Sequence, residues 1–244
     1  MSKSFRLYIA EALAPEKILS LSDEQAHYLK NVVKYTPKDN LLCFDNKNGE
    51  FLCEIIEQSK KQTLIRVKEK IKPFIPCPDI WLLFCPLKKD KTDFVIEKAT
   101  ELGCRCIIPV ISQYTNCTNI KTERYIAQSV EAAEQCRRTD LPLIEQSQKL
   151  TDILKNWDTS RTLYFMDETL ESAPFFDLLQ QEKNHKAAVL IGPEGGFSES
   201  ELTLLKALPF AKGATLGPRI LRAETAVAAA LSCWQLMVGD WRTK

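Results

Sequence analysis

The chain has 244 residues, is 45% hydrophobic and 27% charged, and carries a formal net charge of +1. That length fits one large or two small domains, and the composition is that of a globular protein, which excludes disorder, collagen or a coiled-coil rod for the chain as a whole. No apolar run reaches the roughly 18 residues a membrane helix needs, and no long apolar stretch follows Met1, so neither a membrane partner nor a signal peptide is expected.

Residues 1–72 read as mostly β and mildly basic, with 13 Lys and Arg against 10 Asp and Glu. Phe5-Arg6-Leu7-Tyr8-Ile9 has the composition of a strand. Residues 23–34 read as one helix capped by Ser22 or Asp23. Residues 40–44 and 49–56 flank Asp45-Asn46-Lys47-Asn48-Gly49, a hairpin-type turn, and 62–67 give a further strand. A small barrel of 72 residues is the predicted first domain. Lys72-Pro73-Phe74-Ile75-Pro76-Cys77-Pro78 then reads as a stiff linker, because three prolines in six positions cannot continue a helix or a central strand.

Beyond the linker, strands and helices alternate, which predicts a mostly parallel α/β sheet covered on both faces over residues 73–244. Strands are expected at 80–85, 106–111, 142–145, 162–166, 187–191 and 213–216. Helices are expected at 91–102, 122–138, 149–156, 174–182, 199–208 and 224–238. Phe94, Val95, Ala99 and Leu102 form the apolar face of the first of these helices; Ile126, Val130 and Ala133 form that of the second, where Glu134 and Arg138 have ion-pair spacing. The last helix is apolar almost all round, which predicts burial on every side or a subunit interface, with Trp241 in the core. The nine cysteines include no CxxC pair, so a reduced, cytoplasmic protein with no metal site is expected.

Chemistry concentrates where the glycines do. Five of the eight glycines fall between positions 192 and 217. Ile191-Gly192-Pro193-Glu194-Gly195-Gly196-Phe197-Ser198 joins an apolar strand to a helix, where open α/β sheets bind ligands. It lacks GxGxxG and a Lys-Ser/Thr pair, and Glu194 would repel phosphate, so a neutral or cationic small molecule suits it better than a nucleotide phosphate. A tight turn without a ligand is the plainer reading. Leu216-Gly217-Pro218-Arg219-Ile220-Leu221-Arg222-Ala223-Glu224-Thr225-Ala226 is a second strand-to-helix loop, with two arginines able to meet an anion or to pair with Glu224. Glu131-Ala132-Ala133-Glu134-Gln135 reads by itself as part of a surface helix.

Together, Glu-Ala-Ala-Glu-Gln at 131–135, Lys-Ala-Thr-Glu-Leu-Gly at 98–103 and the loops at 191–198 and 216–226 resemble the ribosomal RNA small-subunit methyltransferase E family, a branch of the SPOUT methyltransferases. The resemblance spans essentially the whole chain. It implies a PUA-like RNA-binding β-barrel at 1–72, a SPOUT α/β domain at 73–244 with a deep trefoil knot at about 187–240, and a homodimer. It also implies transfer of a methyl group from S-adenosylmethionine to N3 of a uridine in 16S rRNA of the 30S subunit. Met166, Ile191, Gly192, Gly195, Gly196, Leu216, Gly217, Arg219, Ile220, Leu221, Thr225 and Ala226 then become candidate cofactor contacts. Arg219 and Arg222 become candidates for stabilising the uracil anion, and Glu194, Glu131 and Glu224 candidates for its base, with no ranking among them. Arg6, His27, Lys30 and Lys34 are candidate RNA contacts, although the last three fit a solvated helix face equally well. Lys34 and Tyr114 stand where the family usually has arginine, which leaves target choice less secure than cofactor use. Another RNA position, a ribose 2′-oxygen, or a non-catalytic role in ribosome assembly are the alternatives.

Overall fold

A computed structural model describes residues 5–117, 120–182 and 185–242. The chain divides into two compact units, one running to Pro76 and taking in Ala133–Leu141 as well, the other made of Cys77–Ala132 and Pro142–Lys244.

The smaller unit contains β1 (Arg6–Tyr8), β2 (Ile18–Ser20), α1 (Asp23–His27), β3 (Asn40–Phe44), β4 (Glu50–Gln58) and β5 (Thr63–Lys72). The strands form one sheet in the order β1-β3-β4-β5-β2, with β1 parallel to β3 and the other pairs antiparallel. Alternation places Thr63, Ile65 and Val67 inward, and they close on Leu7, Leu29, Leu41 and Ile55. The hairpin between β3 and β4 is clamped by Asp45, whose carboxylate accepts from the N–H groups of Leu13, Lys47 and Asn48 at 2.7, 3.0 and 2.6 Å. Burial pushes that carboxyl up, but these hydrogen bonds outweigh it and hold it below the usual aspartate value. Gly49 follows at φ +99°, where a Cβ would lie 2.2 Å from the Lys72 carbonyl oxygen.

Two expectations for this unit need correction. No strand is expected at Ile18–Ser20, where β2 forms. The single helix expected at 23–34 is two pieces. Ser22 caps α1 in a reciprocal pair with Gln25, but after His27 the chain widens into a π-helical turn, Tyr28–Val33. That turn keeps Leu29 wholly buried and ends at Lys34 with φ +62°.

The larger unit contains β6 (Ile80–Phe84), α2 (Lys89–Glu101), β7 (Cys106–Ile111), most of α3 (Thr122–Cys136), β8 (Leu143–Ile144), β9 (Gln148–Lys149), α4 (Leu150–Lys155), β10 (Thr162–Met166), β11 (Ala173–Pro174), α5 (Phe175–Gln180), β12 (Ala187–Ile191), α6 (Glu199–Ala207), β13 (Ala211–Thr215) and α7 (Ala223–Met237). The main sheet runs β11-β13-β10-β12-β6-β7-β8, and β9 adds to β7. Every strand pairing in this unit is parallel.

Period two splits the continuous apolar strands between two cores. Ile80, Leu82, Ala187, Val189 and Ile191 face one side, where α2, α5 and α7 contribute Val95, Ile96, Phe175, Val227, Leu231 and Trp234. Leu83, Cys85, Ala188 and Leu190 face the other, against Leu150, Ile153 and Leu154 of α4 and Leu205 of α6.

Some inward assignments move. Phe94 and Ile126 are exposed, and the buried faces of α2 and α3 run instead through Thr92, Val95, Ile96, Ala99 and through Tyr125, Ser129, Ala132 and Ala133. In α7 only one stripe is buried. Leu236 is 58% exposed and Trp241, expected in the core, is 53% exposed, so burial on every side does not hold. None of the nine cysteines forms a disulfide. Among the described residues no cluster could hold a metal ion, and no helix is long and apolar enough to cross a membrane.

Candidate active site

A cavity of about 430 Å³ opens at the C-terminal ends of the parallel strands of the larger unit. Four segments wall it: the start of α2 beyond β6, Met166–Leu170 beyond β10, Ile191–Glu194 beyond β12, and the stretch from Ala214 to Ala226 beyond β13. Open parallel sheets place ligands there because every strand ends on the same side and hands the chain to a loop.

The walls are apolar and the rim is charged. Met166, Ile191, Leu216, Ile220, Leu221 and Ala226 supply hydrocarbon; Lys91, Glu168, Glu194, Arg219 and Arg222 supply charge. Ile220 is 74% exposed although it is aliphatic and lines the cavity. Such a residue gains from a ligand that covers it.

The glycine loop is built tightly. Ser198 caps α6, accepting from the Glu201 N–H at 3.3 Å while its own N–H donates to the Glu201 carboxylate at 2.9 Å. Gly196 has φ +73°, and a Cβ there would fall 1.4 Å from Glu168 Oε1, so only glycine admits the Glu168 side chain against the loop.

The charges are unequal in company. Lys91 hydrogen-bonds Glu194 and lies 3.8 Å from Glu224. That ammonium holds the Glu194 carboxyl below the usual glutamate value. Burial, and then the neighbouring Asp167, push Glu168 up. Asp167 itself accepts from Thr169 and Ser172 hydroxyls at 2.8 and 2.6 Å. The side chains of Arg219 and Arg222 make no ion pair or hydrogen bond among the described residues, so the pairing with Glu224 considered for them is not formed.

A second concavity, of about 460 Å³, lies in the smaller unit. His27 and Lys30 line it together with Lys60 and Lys61 from the β4–β5 turn.

The comparisons with known proteins agree with this architecture. A model of an RNA methyltransferase domain matches residues 75–235, and one of an RNA methyltransferase PUA domain matches residues 21–68. Ribosomal RNA small subunit methyltransferase E of Rickettsia conorii is 33% identical over 233 residues, covering 95% of each chain. The chain belongs to the ribosomal RNA small-subunit methyltransferase E family. The protein of that name from Buchnera aphidicola is 34% identical over 245 residues, 96% of this chain and 97% of its own. The methyltransferase E of Neisseria gonorrhoeae, solved with S-adenosylmethionine bound, superposes with a TM-score of 0.87 at 26% identity over 98% of this chain and 99% of its own. A methyltransferase of Legionella pneumophila, also solved with that cofactor, gives 0.88 at 28% identity over 98% and 99%.

Against this methyltransferase fold, the residues singled out in the sequence sort cleanly. Met166, Ile191, Gly192, Glu194, Leu216, Arg219, Ile220, Leu221, Arg222 and Ala226 line the cavity. Gly195, Gly196, Gly217, Glu224 and Thr225 flank it without lining it. Glu131 is exposed on α3 and is not part of the wall. Lys34, placed with His27 and Lys30 on one helix face, lies beyond the π-helical turn and outside the basic groove.

Arg6 needs the plainest correction. It is 5% exposed, hydrogen-bonded to Glu50, and donates to the carbonyls of Ala133 and Arg138 at 2.6 Å each, with its guanidinium 4.0 Å from the Phe44 ring centre. It holds the fold of its unit and offers nothing to RNA. Glu134 accepts from the Tyr8 N–H at 2.8 Å, and Arg138 grips Asp140 in a two-pronged pair, so this polar stretch of the family signature is largely structural here.

Lys91, Glu168, Lys60 and Lys61 were not read from the sequence. A signal existed for Lys91: Lys88, Lys89 and Lys91 crowd the start of α2, where cations oppose the helix dipole. Glu168 had a weaker one, two residues past the strand end at Met166.

Proposed function

We propose that this chain transfers the methyl group of S-adenosylmethionine to N3 of a uridine in 16S rRNA within the small ribosomal subunit, in the cytoplasm. The observation that carries the reading is the cavity itself. Its size is that of a small-molecule site, its walls are apolar, and its rim holds two arginines and the Glu168 carboxylate, none of them in an ion pair among the described residues. Those features suit a ligand with an apolar ring, a cationic sulfur and a reaction partner that becomes an anion.

S-Adenosylmethionine would supply an electrophilic methyl group on a positively charged sulfur. Met166, Ile191, Leu216, Ile220 and Leu221 would pack around it, and Gly192 would let the backbone come close. Uridine N3 carries a proton and becomes nucleophilic only as that proton leaves. Arg219 and Arg222, exposed at the rim, are placed to stabilise the negative charge that then spreads onto the uracil oxygens. Of the three carboxylates considered as base, we favour Glu194, which lines the cavity, and Glu224, which flanks it, because both stand beside Lys91.

The basic groove of the smaller unit, with His27, Lys30, Lys60 and Lys61, is proposed to hold the RNA backbone through charge. The exposed Leu236 on α7 and the exposed Trp241 just beyond that helix support a homodimer. The reading also carries a deep trefoil knot at about 187–240.

The test gives purified protein and labelled cofactor to 30S subunits lacking the modification, with naked 16S rRNA in parallel, and identifies the product nucleoside by mass. Label in 3-methyluridine from subunits supports the proposal. Label resistant to alkaline hydrolysis at a ribose would replace it with 2′-O-methylation, and subunit binding without transfer would replace it with an assembly role.

A further inference from the structure

Three carboxylates, Asp167, Glu168 and Glu194, line the cavity, and they are not equivalent. Glu194 is exposed at the rim and already engaged by Lys91. Glu168 has no ion pair among the described residues, although Lys91, Arg219 and Arg222 line the same space. Its neighbour Asp167 is spoken for by Thr169 and Ser172. One Glu168 oxygen rests against Gly196, and the backbone N–H of Phe197 donates to the carboxylate, so the side chain is tied to the glycine loop. Glu168 is exposed at the cavity lining, and a carboxylate there with no ion pair is open to a positively charged ligand.

Resting on the cofactor reading above, we infer that Glu168 is the residue that recognises the positive charge of the cofactor. That charge has two sources, the sulfonium and the α-ammonium of the methionine part, and the carboxylate serves either. The glycine at 196 then has a second purpose besides its turn: it admits the Glu168 side chain to the cavity wall. Loop geometry and charge selection become one device, since any side chain at 196 would evict the carboxylate.

The variant Glu168→Gln keeps the shape and can still accept from the Phe197 N–H, so it removes charge with the least disturbance to the loop. Binding of S-adenosylmethionine, S-adenosylhomocysteine and 5′-methylthioadenosine is measured calorimetrically for both proteins, with thermal melting as a check on folding. The first probe carries both positive charges, the second only the ammonium, and the third neither. The expected result is about a tenfold or greater loss for S-adenosylmethionine, a loss of under twofold for 5′-methylthioadenosine, and an unchanged melting temperature. A parallel loss for S-adenosylhomocysteine assigns the ammonium; its retention assigns the sulfonium. Raising salt should weaken S-adenosylmethionine binding in the wild type more than in the variant. Equal losses for all three probes would overturn the inference and make Glu168 a loop brace or a ribose contact. Wild-type protein that binds none of the probes would refute the cofactor reading itself, and the inference with it.

Discussion

Arg6 in the smaller unit and Arg222 at the cavity show two uses of one side chain. Arg6 is buried, and its guanidinium nitrogens are matched to the Glu50 carboxylate and two carbonyls. Arg222 is exposed at the start of α7 and its guanidinium has no partner among the described residues. In the first place the chain has consumed its own charge to close a fold. In the second it has left charge available beside a cavity. Sequence position does not separate the two, since both arginines sit next to apolar residues at an element's edge. Partner geometry does.

That contrast can be broken in four ways. The largest effect is expected at Arg6. Arg6→Ala would strand the Glu50 carboxylate, 1% exposed, without its main cation, and should cost about 3–5 kcal/mol of stability in denaturant unfolding. A loss below about 1 kcal/mol would show that this buried pair is not what holds the unit.

Arg222→Ala should do the reverse. Unfolding should be unchanged, while the rate of methyl transfer falls about 100-fold or more, as removal of a donor to a developing anion does. A variant that melts early but reacts at full rate would exchange the roles assigned to the two arginines.

The basic groove stands between these cases. Lys60→Glu with Lys61→Glu should leave stability and cofactor binding alone, weaken RNA binding across sequences, and lower the slope of log affinity against log salt by about 2. An unchanged slope would return these lysines to the solvated surface.

The smallest effect concerns Lys91. Its ammonium favours the ionised Glu194, so Lys91→Met should let the Glu194 carboxyl titrate at higher pH, back toward the ordinary glutamate value. The side-chain carboxyl resonance followed by NMR through an acid titration would register the move, and its absence would mean that Lys91 and Glu194 are not paired in solution.

Much of the fold was legible, and the reasons are physical. Continuous apolar runs such as Ala187–Ile191 have few fates besides a strand covered on both faces, and all five of its residues are buried. Ser198 and Glu201 announced the start of α6 through capping spacing. The hairpin at Asp45–Gly49 was marked by residues that tolerate positive φ, and Asn46 and Gly49 both adopt it.

What failed was local detail that only tertiary contact decides. Periodicity cannot see that residues 28–33 widen into a π-turn, nor that Phe94 and Ile126 lie on the outer edge of their helices. The site divides the same way. The glycine-rich loops pointed to the cavity, because glycine at a strand's end has a backbone purpose. Glu168 and Lys91 lie far from those loops in sequence and are brought to them by the sheet order, which no motif encodes. Arg6 was misread for the converse reason: its partners sit 44, 127 and 132 residues away.

The most direct measurement is single-turnover methyl transfer to 30S subunits lacking the modification, by the wild type and by Arg222→Ala, with cofactor binding followed alongside and the product nucleoside identified by mass. The account predicts 3-methyluridine from the wild type, and from the variant the same product about 100-fold or more slowly with cofactor affinity retained. A different methylated nucleoside, or an Arg222→Ala protein that reacts at the wild-type rate, would contradict it.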